Sequence, residues 1–269
     1  MYLMDFSEVS KTCILTLICR AVGAKKKAYS FNDQKTLELN DLVYGSSTKS
    51  ERLWMGRINK KFSGLSKKSV KVICNRAETF DKITNEFIER NTSGTIISLG
   101  CGFDTRFWRI QSGKYRYIEL DLPEVMSLKT SLLEGQINYE CLGVSALDSA
   151  WIDEVTKKGN ENFLILAEGL FMYLQKEEVV KLIQVMADRF SKSELVFDSV
   201  HQKYTQGIWK WFTNWNWRMV FDMDFNYTYG IKNPLEIEGY AKGLKVTSSK
   251  KYHGHLVSVG INNDQSSNT

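Results

Sequence analysis

The stretch Thr95-Ile-Ile-Ser-Leu-Gly-Cys-Gly-Phe-Asp-Thr-Arg106 constrains the fold of this chain more than any other. A short apolar, β-branched run stops on two glycines one residue apart, which reads as a buried strand whose backbone turns tightly beneath a ligand. About 20 positions on, a second apolar run, Tyr115-Arg-Tyr-Ile-Glu-Leu-Asp121, closes on an acid. In an open α/β sheet that spacing sets a carboxylate where ribose hydroxyls can donate to it, so a nucleoside site is expected.

The pattern around this unit extends the sheet. Strands are predicted at 95–99, 115–120, 138–142, 162–167 and 193–199, with helices at 104–111, 123–134, 149–158 and 175–190 between them. That alternation is the signature of a parallel sheet with crossover helices. Leu244 to Ser248 and Leu256 to Ile261 read as a C-terminal antiparallel hairpin. Upstream, Glu8 to Gly23, a stretch after Asn32 through Leu42, and Lys67 to Glu89 show helical spacing and no convincing strand. The expected fold class is therefore α/β, a Rossmann-like sheet with helices on both faces. A helical cap is expected at 1–92, packed on a domain at 93–261, with a polar tail at 262–269.

Composition enters mainly by exclusion. Five cysteines are scattered and never spaced C-x-x-C, which fits reduced thiols rather than a disulfide framework or a zinc site. No signal peptide is read, and no apolar stretch approaches the ~20 residues of a membrane span, so a cytoplasmic chain with no membrane partner is expected. The net charge of +5 comes from short lysine clusters with acids between them. Nucleic-acid binding usually shows a concentrated basic stripe, so nucleic acid is not expected as a partner.

The segment 200–230 has the oddest composition: Trp209, Trp211, Trp215 and Trp217 with Phe212, Phe221, Phe225, Tyr227 and Tyr229. One reading makes Ile208, Trp211, Phe212 and Trp215 the buried face of a helix. The other makes the segment an aromatic lid over an apolar substrate, and different rings can serve each role.

The turn itself bears on the ligand. A dinucleotide fingerprint would need a third glycine where Thr105 stands, and Asp104 occupies the place where a pyrophosphate would approach a helix N-terminus. Negative charge there repels phosphate and suits an amino-bearing ligand. This favours S-adenosylmethionine, which carries ribose and adenine but no phosphate, over NAD.

Leu99-Gly-Cys-Gly-Phe-Asp-Thr-Arg106, then Glu119-Leu-Asp-Leu-Pro123 with Lys129, then Ala167-Glu-Gly-Leu-Phe-Met-Tyr-Leu174 also carry a family likeness. Together they resemble the leucine carboxyl methyltransferase family of class I S-adenosylmethionine-dependent methyltransferases. They are similar in particular to its bacterial small-molecule branch, which includes polyketide O-methyltransferases. The resemblance covers roughly residues 8 to 200, including Lys11-Thr12 and Arg20-Ala21, and thins out where substrate would be chosen.

The resemblance implies S-adenosyl-L-methionine as cofactor, S-adenosyl-L-homocysteine as product, and a role for each matching residue. Arg76 would hold the methionine carboxylate, with Arg20 as a second partner. Gly100, Cys101 and Gly102 form the turn under the cofactor, and Asp104 faces its ammonium end. Asp121 takes the ribose hydroxyls beside Leu122, and Glu119, assigned to the other face of the strand, ranks second. Leu147 lies against adenine, and Asp148 either meets the exocyclic amine or caps a helix. Glu168 lies by the amino group and sulfonium, and Tyr173 either borders the methyl group or packs.

A carboxylate acceptor needs no base, whereas a hydroxyl is assisted by one, and His201 is the best-placed candidate. His253 and His255 lack supporting ligands, so no metal is expected. The reading is an O-methyltransferase with a small-molecule acceptor, aromatic or carboxylate-bearing. Its rivals are a protein C-terminal carboxylate or modified tRNA as acceptor, an NAD-type oxidoreductase, and a cofactor-binding protein without turnover.

Overall fold

The computed structural model describes residues 7–26, 31–64, 67–91, 93–157, 162–190, 192–251 and 254–262. Four helices come first: α1 (Glu8–Lys25), α2 (Gln34–Ser46), α3 (Lys49–Ser63) and α4 (Lys67–Arg90). The sheet follows as β1 (Gly94–Leu99), β2 (Tyr115–Asp121), β3 (Glu140–Gly143), β4 (Phe163–Ala167), β5 (Ser193–His201), β6 (Gly230–Ile231), β7 (Leu244–Lys251) and β8 (Gly254–Ile261). Between strands lie α5 (Pro123–Leu132), α6 (Ala150–Thr156), α7 (Lys176–Arg189) and α8 (Gly207–Asn216).

The strand order is β3-β2-β1-β4-β5-β8-β7, with β6 beside the end of β5. Strands β1 to β5 pair in parallel, while β8 runs antiparallel to β5 and to β7. The chain therefore builds outward from β1 in one direction and then, from β4, in the other. A sheet that reverses its order in this way opens a crevice at the carboxyl ends of the two central strands.

Each strand is apolar for a stated reason. On one face, Ile97, Leu99, Ile118, Leu120 and Ile165 pack against Trp151 of α6 and Ile183 and Met186 of α7. On the other, Ile96, Leu164 and Val196 meet Phe80 and Phe87 of α4. Burial on both faces explains why β1 and β4 read as continuous hydrophobic runs rather than alternating ones. A third core lies inside the N-terminal helices: Ile14, Leu17 and Ile18 of α1 pack with Leu39, Met55, Ile58 and Val70. Phe221, Met223 and Phe225, from far along the chain, complete it.

The Rossmann-like sheet, its parallel core, the C-terminal hairpin and the helical N-terminal region agree with the sequence. Three elements do not. The helix expected at 104–111 is a single 3-10 turn, Arg106–Trp108, because the side chains of Arg106 and Arg109 turn inward to ion pairs rather than along a helix face. Helix α3 was not expected; its start is marked by a capping box in which Thr48 and Glu51 satisfy each other's backbone N–H groups. The aromatic stretch gives an exposed α8 followed by a π-helical turn, Trp217–Phe221, and α8 buries none of its residues. Ile208, Trp211, Phe212 and Trp215 are thus the outer surface, not the core face.

Candidate active site

One cavity of about 710 Å³ opens at the switch point between β1 and β4. Its floor is the turn after β1. Gly100 and Gly102 have φ of +59° and +51°, the left-handed region where a Cβ is costly, and a Cβ on Gly102 would stand 2.8 Å from Cys13 Cβ in α1. The turn is tied to β2 by Asp121, whose carboxylate accepts from the Gly102 N–H at 2.6 Å and the Leu122 N–H at 2.7 Å. Burial pushes the Asp121 carboxyl up, and those two donors push it back. A carboxylate has about four lone-pair sites, so this one is oriented by the backbone and retains acceptors for a diol.

Beside the turn lies an unusual density of charge. Arg20 of α1 donates to Asp104 at 2.8 Å and to Glu168 at 2.5 Å. Arg76 of α4 donates to Glu168 at 2.9 Å and to Asp198 of β5 at 3.1 Å. Arg106 reaches Asp104 at 2.6 Å, Asp81 at 2.9 Å and also Glu168. Arg109 completes the lattice through Asp33, Asp81 and Asp104. Burial alone would raise the Glu168 carboxyl; Arg20, Arg76 and Arg106 overcome it and bring it down to about 2. The same contest holds Asp104 well below the usual carboxylate range, through Arg106, Arg20 and Arg109. Both acids are therefore ionised, and each shares more than one guanidinium.

Asp104 is consequently not a bare negative charge at a helix N-terminus. No long helix starts there, and its charge is matched by three arginines. The sequence argument for phosphate exclusion loses that footing. What replaces it is a mixed lattice in which Arg20, Arg76, Asp104 and Glu168 all line the cavity. The Arg20 Nε is buried there with no hydrogen-bond partner in the structure. A buried guanidinium N–H calls for an acceptor, and Glu168 and Asp104 stand ready for an ammonium. These groups fit the amino-acid end of S-adenosylmethionine, and the Gly100–Gly102 turn with Asp121 fits its ribose.

The remaining expected residues separate into two groups. Cys101, Leu122, Leu147 and Tyr173 line the same cavity. Glu119, Asp148 and His201 do not. Residues two apart in a strand share a face, so Glu119 and Asp121 point the same way; depth along β2 divides them. Glu119 sits lower, fully buried, where Lys129 of α5 donates to it at 2.6 Å and to the Asp104 carbonyl at 2.7 Å. Asp148 is exposed and accepts from the Ala150 N–H at 3.0 Å, the helix-capping alternative. His201, past the cavity wall, accepts from the Lys203 N–H at Nδ1, with its ring 6.1 Å from that of His255. His253 lies outside the described residues.

Sequence reasoning missed Asp198, which accepts from both Arg76 and the Gly169 N–H. An acid inside the apolar run Leu195-Val-Phe-Asp198 was its available signal.

Away from the lattice the cavity becomes apolar. Phe62 of α3, Ile73 of α4, and Trp217, Phe221 and Tyr227 form its far wall, while Cys13 of α1 stays beside the turn. The wall is fixed to the N-terminal helices: Trp54 Nε1 donates to the Phe221 carbonyl at 3.1 Å, and Lys61 Nζ donates to that of Val220.

The profile of the family described as "Leucine carboxyl methyltransferase" matches residues 16–187, more than half of the chain. The chain belongs to this family. It is an S-adenosylmethionine-dependent methyltransferase, in agreement with the ligand that the lattice and the turn fit. Within reach of this family assignment, the chain is 26% identical over 254 residues to the S-adenosyl-L-methionine-dependent methyltransferase dpfgK of Gibberella zeae, covering 90% of this chain and 82% of that one. It is 26% identical to the tetracenomycin polyketide synthesis O-methyltransferase TcmP of Streptomyces glaucescens over 212 residues, 76% of this chain and 73% of the other. An O-methyltransferase family protein from Burkholderia thailandensis shares the fold, with a TM-score of 0.50 at 11% identity, covering 85% of this chain and 72% of that one. Some solved chains of related fold are longer, and this chain spans 46% of their length. Among the described residues, no helix is long and apolar enough to cross a membrane.

Proposed function

We propose that the chain transfers the methyl group of S-adenosylmethionine to an oxygen of a small, largely apolar molecule held against the aromatic far wall of the cavity. The observation that carries this reading is a single cavity with a charged end, a glycine turn and an apolar end in sequence. Arg76 and Arg20 would hold the methionine carboxylate, Glu168 and Asp104 the ammonium, Asp121 the ribose hydroxyls, and Leu147 the adenine ring. When bound, the cofactor supplies a methyl group already activated on sulfonium. The residues of the chain contribute orientation, which is the larger part of such a transfer, and a wall that excludes water. In this reading residues 1–92 are a cap to the unit at 93–261, since Arg20 and Arg76 both come from it.

The cavity supports an acceptor oxygen that arrives ionised. His201 lies outside it, and three protic side chains that line it are poor bases: burial pushes up the Tyr173 and Tyr227 hydroxyls and the Cys13 thiol. A carboxylate, or a hydroxyl acidified by its own ring system, needs no further help. The similarity to a polyketide synthesis O-methyltransferase supports an apolar, ring-bearing acceptor.

Calorimetry with S-adenosylmethionine, S-adenosylhomocysteine and NAD tests the cofactor reading; tight NAD binding with none for the sulfonium compound would sink it. A panel of carboxylic acids, phenols and aliphatic alcohols with labelled cofactor then tests the acceptor. Methyl transfer to carboxylates or acidic phenols is expected, and preferential transfer to aliphatic alcohols would refute the ionised-acceptor reading.

A further inference from the structure

Helix α8 presents a stripe that globular proteins normally bury. Ile208, Trp211, Phe212, Trp215 and, one turn further, Met219 recur at helical spacing and are 66%, 59%, 49%, 52% and 65% exposed, with Trp209 beside them at 53%. An amphipathic face of this size with none of the described residues over it marks an interaction surface. Its chemistry narrows the partner. From Ser199 to Phe221 there is no acid, while Lys203, Lys210 and Arg218 flank the rings. The Lys203 ammonium rests 5.2 Å from the Trp209 ring centroid. The two acids that follow, Asp222 and Asp224, are paired with Arg57 and Arg218. Lys61 of α3, which donates to the Val220 carbonyl, brings a further positive charge to the segment that follows α8.

We infer that this face is a seat for an anionic lipid surface, with α8 lying in the headgroup region. Tryptophan is the side chain best suited to that boundary, since its ring is apolar and its N–H stays wet, and lysine and arginine beside it attract anionic headgroups. A second copy of the chain is disfavoured by the same charges, because an isologous contact would bring Lys203 and Lys210 of one protomer against those of the other. The expectation of no membrane partner rested on the missing span, and a helix lying on a bilayer needs none. Thr213 and Asn216 of α8 and the adjoining Trp217 line the cavity. On the reading of an apolar acceptor, α8 therefore separates a lipid surface from the acceptor wall by one helix diameter.

Flotation of the full chain with vesicles of phosphatidylcholine alone, and of phosphatidylcholine with phosphatidylglycerol, tests the proposal. Binding is expected to the anionic vesicles, with a blue shift of tryptophan fluorescence and weakening as salt rises. The double substitution Trp211→Gln and Trp215→Gln, whose positions stand outside the cavity lining, is expected to lower partition by about tenfold or more. A second variant, Lys203→Gln with Lys210→Gln, is expected to weaken binding and flatten its salt dependence. Calorimetry with S-adenosylmethionine, expected unchanged in both, separates this proposal from the cofactor reading. Absence of vesicle binding by protein that binds S-adenosylmethionine overturns it. So does a dimer in sedimentation velocity that the tryptophan variant converts to monomer.

Discussion

Glu119 and Asp121 are two residues apart on one face of one strand, and the structure assigns them opposite work. Glu119 and Lys129 form an ion pair at 2.6 Å in which both side chains are fully buried, and Lys129 also holds the Asp104 carbonyl. Removing one partner of such a pair leaves an uncompensated buried charge, at a cost of about 3–5 kcal/mol. Against a total stability of about 5–15 kcal/mol, Glu119→Leu should therefore remove about a fifth of it or more. With a urea m-value of about 3 kcal/mol/M, the midpoint should fall by about 1 M. Lys129→Met should cost as much or more, because the Asp104 carbonyl also loses its donor. Adding Lys129→Met to Glu119→Leu should recover most of the loss, since apolar replacement of a whole buried pair is often nearly neutral. Urea titrations of the four proteins give the coupling directly. Calorimetry on Glu119→Leu below its unfolding transition should show S-adenosylmethionine affinity within a factor of about two of the parent, if the residue lies outside the cofactor site. A loss of stability below about 1 kcal/mol, or a loss of affinity matching that of an Asp121 variant, would falsify this division of labour.

The cofactor residues give a second set of expectations. Arg76→Ala and Asp121→Ala should each weaken S-adenosylmethionine binding by about 1.5–3 kcal/mol, the range for hydrogen bonds to charged groups; unchanged calorimetric affinity in both folded variants would refute the roles. Glu168, held at about 2 in the fold against an ordinary value of 4.5, contributes stability that is fully present above pH 4.5 and is lost as pH falls through that interval. The contribution is about 3 kcal/mol at neutral pH. Asp104 acts in the same sense, and Asp121 and Glu119, pushed up by burial, act in the opposite one. The urea midpoint of the parent should drop between pH 5 and 3, and that of Glu168→Gln should be lower at pH 7 but flatter; parallel curves would show that the lattice does not hold the proton off. Gly102→Ala must adopt a φ of +51° and meet Cys13 Cβ at 2.8 Å, so a loss of at least about 1–2 kcal/mol is expected, together with weaker cofactor binding as α1 is pushed off the turn.

What could be read from the sequence was whatever burial writes into composition. Strands covered on both faces must be largely apolar, so β1, β4 and the Leu195-Val-Phe run of β5 stood out, and the glycines after β1 marked the turn. The lattice was not legible in this way. Asp33, Asp81, Arg106 and Arg109 come from three separate stretches, and nothing in the spacing of any one of them announces an ion pair with another. The same cause turned the expected helix at 104–111 into one 3-10 turn, because long-range pairing outweighed local periodicity. The stripe on α8 failed in the opposite direction. Its helical period was correct, but period alone says that a face is apolar and not that the same chain covers it. Helix α3 could have been found from Thr48 and Glu51, a capping box preceding an apolar run.

The arginine–carboxylate lattice also determines what kind of event cofactor binding is. On the proposed placement, the amino-acid end of S-adenosylmethionine would bring one positive and one negative group to side chains already engaged with other residues, save for the unpartnered Arg20 Nε–H. Its arrival is an exchange of partners within a fixed set of charges rather than an addition of charge to a waiting well. Such an exchange releases few counterions, so affinity for this end of the ligand should change little with ionic strength, unlike that of a phosphate-binding turn. On the proposed placement it would also make the N-terminal helices answerable to the ligand: the Arg20 Nε–H can take a carboxylate oxygen where it stands, whereas turning the ion-paired nitrogens of Arg20 or Arg76 toward it would loosen Glu168, and through it Arg106.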